Sequence, residues 1–416
     1  MILLSHEPSD YWSQARKLIF RFVCLYFLSY IIFMFFGKAF FESLFAWVGQ
    51  NVLHSEGRLE YFITGSGDTT MAYISLFVQS ICTIISLLLW SLIDRKRPSY
   101  NQLFYWFITI IRIFLIFFMI SYGFAKVFKS QFPEPSLIRL LQPIGDMSPM
   151  GLAWTYMGHS EGFNLFAGSM EVLGGLLLIP RRTLTLGALV SIGVMLQVAM
   201  MNFFYDIPVK LFSLHLMAMG LVIFLSDWKR FSQVFIKNQT AQPITHYQVS
   251  KDKLYKKIIF WFKIVMTSVL IGFMSYQGYQ AERLYGDKKP KPALYGIWET
   301  TSFIKNNDTL PPLLTDKNRW RRLIINYKNR ATLQLMNDER KNITLKIDSS
   351  QTYMTVYEAD LKQDMNFSYT RSNDILQIKG VLYGDSLQVD FKAKDLSTFK
   401  LINRGYHWIN EKPYNR

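Results

Sequence analysis

The 416-residue sequence predicts an α-helical polytopic membrane domain of about seven spans, followed by a C-terminal all-β barrel domain. Three observations carry this reading. Seven apolar stretches are each long enough to cross a hydrocarbon core, which takes about 20 helical residues. A stiff polar segment, Asp287-Lys288-Lys289-Pro290-Lys291-Pro292, ends the apolar region. Beyond it the apolar period falls to two, the period of a strand.

The spans run Leu18–Phe36, Met71–Ile93, Leu103–Phe124, Phe163–Pro180, Thr183–Phe204, Pro208–Leu225 and Ile258–Tyr279. Composition agrees: 50% of residues are hydrophobic and 18% are charged, against about 25% charged in a soluble chain. So much apolar content excludes intrinsic disorder. Two cysteines, Cys24 and Cys82, are too few for a disulfide framework, a Cys-rich zinc site or an iron–sulfur cluster.

The net charge of +16 is a topology signal. Arg16 and Lys17 precede the first span, Arg95-Lys96-Arg97 join the second to the third, and Arg181-Arg182 join the fourth to the fifth. A loop carrying Lys229, Arg230, Lys237, Lys251, Lys253, Lys256 and Lys257 joins the sixth to the seventh. The alternate loops hold Glu42, Glu56, Glu60 and Asp68, then Glu134, Asp146 and Glu161. This alternation predicts a cytoplasmic N-terminus and an external C-terminus, with the first span as an uncleaved anchor. Charge placed this way does not form a phosphate groove, so nucleic acid is not expected as a partner. Of the external loops, Ala39–Leu53 has helical periodicity and is expected in the membrane interface. Phe132–Gly162, with four prolines, is expected as an irregular lid with a short amphipathic helix near Leu137–Ile144.

The helical domain is taken as residues 1–285, the linker as 286–293 and the β domain as 294–416. In the last of these, Ile343, Leu345 and Ile347 alternate, as do Met365, Phe367 and Tyr369, and Leu387, Val389 and Phe391. Turn signals at Asn337-Asp338, Asp348-Ser349-Ser350, Ser372-Asn373-Asp374 and Gly384-Asp385 give about eight short strands at hairpin spacing. An up-and-down barrel suits this pattern, with a β-sandwich as the alternative. Gly296-Ile297-Trp298 and the late Arg404 resemble the Gly-x-Trp and Arg of lipocalins, whose Trp and Arg stack at the barrel base; a plain core Trp is the other reading. The domain has one histidine, His407, and no cysteine, so it carries no metal or nucleophile constellation. Arg319-Trp320-Arg321-Arg322 reads as a solvated or headgroup-facing patch.

Polar residues inside the spans carry the functional signal, because a charge in hydrocarbon is costly without a partner or a wet cavity. Arg112 and Glu171 each lie nine residues from the cytoplasmic end of their spans, about 13–14 Å deep, and His215 lies at roughly 15 Å. The three are expected in one layer, with Arg112–Glu171 as the pair, either structural or part of a proton relay. Tyr122 and Lys126, four residues apart, share a helix face. Asn202, Tyr205, Asp206 and Lys210 form a tight polar hairpin at the outer surface, where Asp206 and Lys210 can pair with each other, or with Lys126 and a ligand. The alternative for this group is snorkelling and interface anchoring. Gly168, Gly174, Gly175 and Gly187 permit close helix packing.

Tyr-Gly-Phe-Ala-Lys ending at Lys126, Ser148-Pro149-Met150, the Glu171 span, Arg181-Arg182-Thr183, and Asn202 through His215 resemble the DoxX-like membrane proteins. The resemblance covers about 103–235. It implies a four-helix membrane core and a link to quinone and sulfur redox chemistry, as in the thiosulfate:quinone oxidoreductase members. The extra spans and the β domain resemble long DoxX-like proteins of bacteria with two membranes, which makes the compartment outside the inner membrane the periplasm.

Two function classes follow. In the first, the chain is an inner-membrane oxidoreductase or its quinone-binding subunit. Arg112, Tyr122, Lys126, Asn202, Tyr205, Asp206 and Lys210 line the ligand, and Glu171 and His215 move protons. The quinone is then the cofactor, and no metal is expected. In the second, the spans are a non-enzymatic anchor or assembly factor, and the periplasmic barrel binds a lipid or a protein partner. A lipid-modifying enzyme or transporter is a third class, but the sequence shows no inverted repeat.

Overall fold

The computed structural model describes residues 9–60, 65–241, 247, 249, 252–348, 352–358 and 363–415. In chain order the first helices are α1 (Gln14–Asn51), α2 (Thr70–Ile93), α3 (Asn101–Val127), α4 (Leu137–Leu140), α5 (Pro149–His159) and α6 (Glu161–Leu177). They are followed by α7 (Leu184–Phe204), α8 (Lys210–Leu225), α9 (Trp228–Phe235) and α10 (Lys253–Leu284). The strands are β1 (Gly296–Lys305), β2 (Asp308–Thr309), β3 (Trp320–Tyr327), β4 (Arg330–Leu335) and β5 (Arg340–Asp348), then β6 (Tyr353–Glu358), β7 (Gln363–Ser372), β8 (Ile375–Leu382) and β9 (Asp385–Ala393). A single helical turn, α11 (Lys400–Asn403), comes last. The chain divides into two compact units. One joins the residues up to Gln131 with Glu161–Ala281; the other joins Phe132–Ser160 with Glu282 onward.

The first unit is a helical bundle. Among the described residues, five helices are long and apolar enough to cross a membrane, and α8 with α9 makes a sixth if that pair, bent by 72°, counts as one span. The expected fourth span is the 17-residue α6, which is shorter than the others because Pro180 and a 3₁₀ turn at Arg181–Thr183 end it early. The segment Ala39–Leu53 is helical to Asn51 as expected, and is the end of α1 rather than a separate element. Its residues favour helix, so α1 runs on unbroken for 38 residues, roughly 57 Å. Ser13 and Thr69 cap α1 and α2 through their hydroxyl groups.

Helices α3 and α6 are in backbone contact. A Cβ placed on Gly168 would lie 2.5 Å from the Gly123 carbonyl oxygen and 2.9 Å from the Val127 nitrogen. One placed on Gly175 would lie 2.9 Å from Ile120. Since Gly168 faces Gly123–Val127 and Gly175 faces Ile116–Ile120, the two helices run antiparallel. Small residues at this seam let the backbones approach, which is the main source of association between helices in lipid.

The second unit is a closed antiparallel barrel. The strands pair in the order β2-β1-β3-β4-β5-β6-β7-β8-β9, and β1 also pairs with β9 from Trp298↔Ala393 to Lys305↔Leu387. With the two-residue β2 as a stub beside β1, eight strands make the wall. The alternation read from the sequence is the inward face: Leu345, Phe367, Val389 and Phe391 are all buried in one apolar cluster. The expected turn at Ser349-Ser350 lies outside the described residues. Trp298 fills one end of the barrel, where its indole N–H donates to the Leu294 carbonyl at 2.9 Å.

Two expectations for this unit are corrected. The cation over Trp298 is Arg371, with its guanidinium carbon 5.4 Å from the ring, and Arg404 instead stacks on Tyr414 at 4.1 Å. Strand β7 delivers Arg371 to the barrel end, whereas Arg404 follows α11 on an exposed tail. The Arg319–Arg322 patch is not a solvated face either. Arg319 and Trp320 are buried, Arg319 donates to the Leu310 carbonyl at 3.2 Å, and Arg322 pairs with Glu299 at 3.0 Å. Strand alternation turns Trp320 into the barrel, while Arg322 finds its partner on β1 and Arg319 and Arg321 bond the connecting-segment residues Leu310 and Asp338.

The proline-rich segment Phe132–Ser160 belongs to this unit. Its first short helix, α4, packs Leu137 against Ile297 and Ile324 on the outside of the barrel, and the Leu137 N–H donates to Asn326 Oδ1 at 3.2 Å. It is more ordered than an irregular lid. Ser148 accepts from the Gly151 N–H at 3.1 Å and Pro149 occupies the first turn, so Ser148-Pro149 is the start signal of α5.

Candidate functional site

The buried charges of the bundle are arranged differently from the expected Arg112–Glu171 pair. The pair is Lys126–Glu171, with Nζ 2.8 Å from Oε1 and 3.1 Å from Oε2, and both side chains are buried. Arg112 instead donates from Nη2 to the Ile179 carbonyl at 2.8 Å, beyond the end of α6. The reason is register. Depths counted from span ends assume that the ends are level, but the Arg112 contact puts the first turns of α3 past the end of α6. A helical side chain also leans back over the turn N-terminal to its own Cα, so Lys126 reaches down to the level of Glu171. The Gly123–Gly168 contact holds the two backbones close enough for this to happen.

His215 does not join that pair. It lies on α8 against α1, where the Tyr30 ring stacks on the imidazole with centroids 3.8 Å apart. His215 Nδ1 is 2.6 Å from the Leu211 carbonyl, and Nε2 is 2.9 Å from the Tyr26 hydroxyl. A carbonyl only accepts, so Nδ1 carries the proton of the neutral ring. Nε2 is then the acceptor, and the Tyr26 hydroxyl donates to it.

Beside this ring lies a cavity of about 420 Å³ between α1, α2, α3 and α8. Its walls are Tyr30, Phe33, Met34, Tyr122, Phe212 and His215, with Gln79 and Lys38 among the polar members. Tyr122 is stacked on Phe118 and lies near Phe212, and the Lys126 ammonium is 5.9 Å from the Tyr122 ring centroid. The cavity therefore brings together two of the residues singled out in the sequence, Tyr122 and His215. Lys126 and Glu171 stand directly behind Tyr122.

The α7–α8 hairpin is held by its own hydrogen bonds and ion pair. Asn202 is buried and donates to the Val209 carbonyl at 3.2 Å and to Ser213 Oγ at 3.0 Å. Asp206 is exposed, has a φ of 50°, and pairs with Lys210 at 3.0 Å. Tyr205 is partly exposed on the same turn. These residues close the α7–α8 connection and do not line the cavity. Asp68, from the loop before α2, caps α8 by accepting from the N–H groups of Lys210 at 2.7 Å and Leu211 at 3.0 Å.

Sequence reasoning missed Tyr26, Tyr30, Gln79 and Asp68. The available signal was the polar residues inside the first two spans, Tyr26, Tyr30 and Gln79, with Asp68 just before the second. Among the described residues, no group of three or more His, Cys, Asp or Glu could hold a metal ion.

A second cavity, of about 310 Å³, occupies the end of the barrel opposite Trp298. Phe303, Trp320, Leu333, Val356, Met365 and Leu387 make its apolar walls. Lys305, Lys317, Lys341, Asp316 and Asp385 ring its mouth. The Lys305–Asp385 pair at 2.7 Å, with a hydrogen bond from Asn306, holds the Asp385 carboxyl below the usual carboxylate range. The barrel is thus packed at one end and hollow at the other.

Over 142 residues the chain is 34% identical to the uncharacterized protein YwoB of Bacillus subtilis (strain 168), a match covering 34% of this chain and 86% of that protein. No profile of a known protein family matches the chain. No solved structure matches it.

Proposed function

The chain belongs to the family of the uncharacterized Bacillus subtilis protein YwoB, and we propose that it is a DoxX-like protein of the bacterial inner membrane whose helical bundle binds a quinone for a quinone-linked oxidoreductase, as the enzyme or as its membrane subunit. The observation that supports this best is the cavity beside His215. Its volume falls in the range of small-molecule sites, roughly 300–1,000 Å³, and its walls are mostly aromatic and apolar with a few polar groups. That is the chemistry a flat, lipophilic ring with two carbonyl oxygens requires. A bound quinone would supply two-electron redox chemistry.

The chain's own groups do the rest. Phe33, Tyr122 and Phe212 offer ring faces. The Tyr26 hydroxyl and the His215 imidazole form a hydrogen-bonded pair at the cavity wall that can hold or pass a proton. Lys126–Glu171 fixes the helix that carries Tyr122. The alternating Lys and Arg loops support a cytoplasmic N-terminus and a periplasmic barrel.

The test is mass spectrometry of the lipophilic molecules that co-purify with the full-length protein in mild detergent, wild type against His215→Leu and Tyr122→Ala. A quinone present at near one per chain and lost in both variants is the expected result. Wild-type protein with no quinone overturns the reading.

The hollow barrel end favours a second reading, in which the bundle is an anchor and the barrel binds a lipid or a protein partner. An acyl chain fits a narrow apolar cavity with a charged mouth. A fatty acid or lipid that co-purifies with wild type, survives His215→Leu and is lost in Val356→Trp selects this reading over the first.

A further inference from the structure

Helix α10 has fully buried residues only toward its C-terminal end. Met274 and Gly278 are buried there, and a Cβ on Gly278 would lie 2.3 Å from the Phe128 ring. Its first turns, from Lys253 to Val269, carry no buried residue. Between these turns and the end of α6 lies a cleft of about 820 Å³. Leu176, Ile179 and Pro180 form one wall, and Ile259, Phe260 and Ile264 form the other.

The cleft collects cations. Arg181, Arg182, Lys256 and Lys263 line it, and the lining contains no Asp or Glu. Arg112 stands beside it, bonded to the carbonyl of Ile179. Its Nε is buried with no hydrogen-bond partner, and its side chain is 8% exposed. Arg181 and Lys263 line the cleft together with Arg112 beside them, so like charges gather here, although Arg181 also donates to the Tyr105 hydroxyl at 2.7 Å. Such an arrangement is costly unless an anion completes it.

We propose that this cleft is a binding site for one anionic phospholipid, with its phosphate held by Arg182 and Lys263, the charge of Arg112 beside them, and its acyl chains lying between α6 and α10. Two facts select a lipid over a soluble anion. The walls between and beside the cations are mostly apolar on both sides, with Thr267 and Ser268 as the uncharged polar members on α10. The helices that form them are long and apolar enough to cross a membrane, or pack within that bundle. Clustered Lys and Arg between spans near a membrane surface are the usual recognition element for anionic headgroups. Guanidinium groups grip phosphate oxygens in pairs, and a lysine adds a point charge. The site is independent of the quinone reading, because Arg112 lies ten residues, roughly 15 Å, along α3 from Tyr122.

The experiment uses full-length protein in phosphatidylcholine nanodiscs with and without phosphatidylglycerol, followed by native mass spectrometry and thermal melting. One retained phosphatidylglycerol per chain and a higher Tm in its presence are expected. Arg182→Gln, an exposed position, and Lys263→Gln should each weaken retention about fivefold, since a cation near the headgroup is worth about 1 kcal/mol. Lys237→Gln, exposed and outside the cleft, should leave retention unchanged. Equal retention of both lipids, or no effect of Arg182→Gln, overturns the proposal. So does inorganic phosphate that displaces phosphatidylglycerol and raises Tm equally, because the ligand is then a free anion.

Discussion

Removing one partner of the Lys126–Glu171 pair should destabilise the bundle far more than removing both. The two contacts, 2.8 and 3.1 Å, engage both carboxylate oxygens with one ammonium, and the side chains are 7% and 1% exposed. Neither charge can turn to water when its partner is lost. Breaking a buried pair this way costs about 3–5 kcal/mol, whereas replacing the pair by apolar groups of similar volume is close to neutral. Lys126→Met and Glu171→Leu should therefore each lower Tm by on the order of 10 °C. The double variant Lys126→Met/Glu171→Leu should recover most of the loss. The assay is a melting curve of the detergent-solubilised full-length protein for all four members of the cycle. Additive losses would refute the reasoning, since they would mean that each charge is satisfied without the other.

Gly168→Leu should push α3 and α6 apart, because its Cβ would meet the Gly123 carbonyl at 2.5 Å. A loss of about 1–3 kcal/mol is expected in the same melting assay, while Gly193→Ala, with open space around its Cβ, should have no effect. In the barrel, a Cβ on Gly380 would lie 2.4 Å from Phe367 and 2.9 Å from the Asn366 carbonyl, so Gly380→Ala should speed limited proteolysis of the β domain. Glu299 gives a pH prediction. Burial alone would raise its carboxyl, but the hydrogen bond from Arg322 and the charge of Lys394 hold it below its ordinary value. A depressed carboxyl stabilises the fold above its unfolded value, near 4.3, and the contribution is lost as pH falls through the lower folded value. Glu299→Gln should therefore flatten the acid limb of barrel stability, read by tryptophan fluorescence against pH.

The barrel was the most legible part of the chain. Its inward residues repeat with a period of two, and Ile343, Leu345, Phe367 and Val389 all face the core as that period requires. Ser148-Pro149 likewise carries its meaning locally, as a helix start. What the sequence could not show was register between helices. Arg112 and Lys126 lie fourteen residues apart near one face, so either could have met Glu171, and only the Gly123–Gly168 contact decides for Lys126. The same limit hid the cavity. Tyr26 and Tyr30 are remote in sequence from His215, and nothing local says that α1 packs beside α8. Arg371 replaced Arg404 over Trp298 because a stacking partner is set by the strand that brings it there.

The seam between β1 and β9 also constrains how the barrel forms. Trp298 pairs with Ala393, so the ring is complete only when nearly the last hundred residues of the chain are available. Until then the nascent domain is a meander with open edges on β1 and on its newest strand, and β1, paired early with β3, waits longest for its second neighbour. Local hairpins from β3 to β8 can form as they emerge, but the final pairing closes a loop of about ninety residues and bears the largest entropic cost. Ribosome stalling or truncation before Asp385 would leave β1 exposed to strands of other chains, which makes the short stretch Asp385–Ala393 the point at which an aggregation-prone ribbon becomes a protected, edgeless wall.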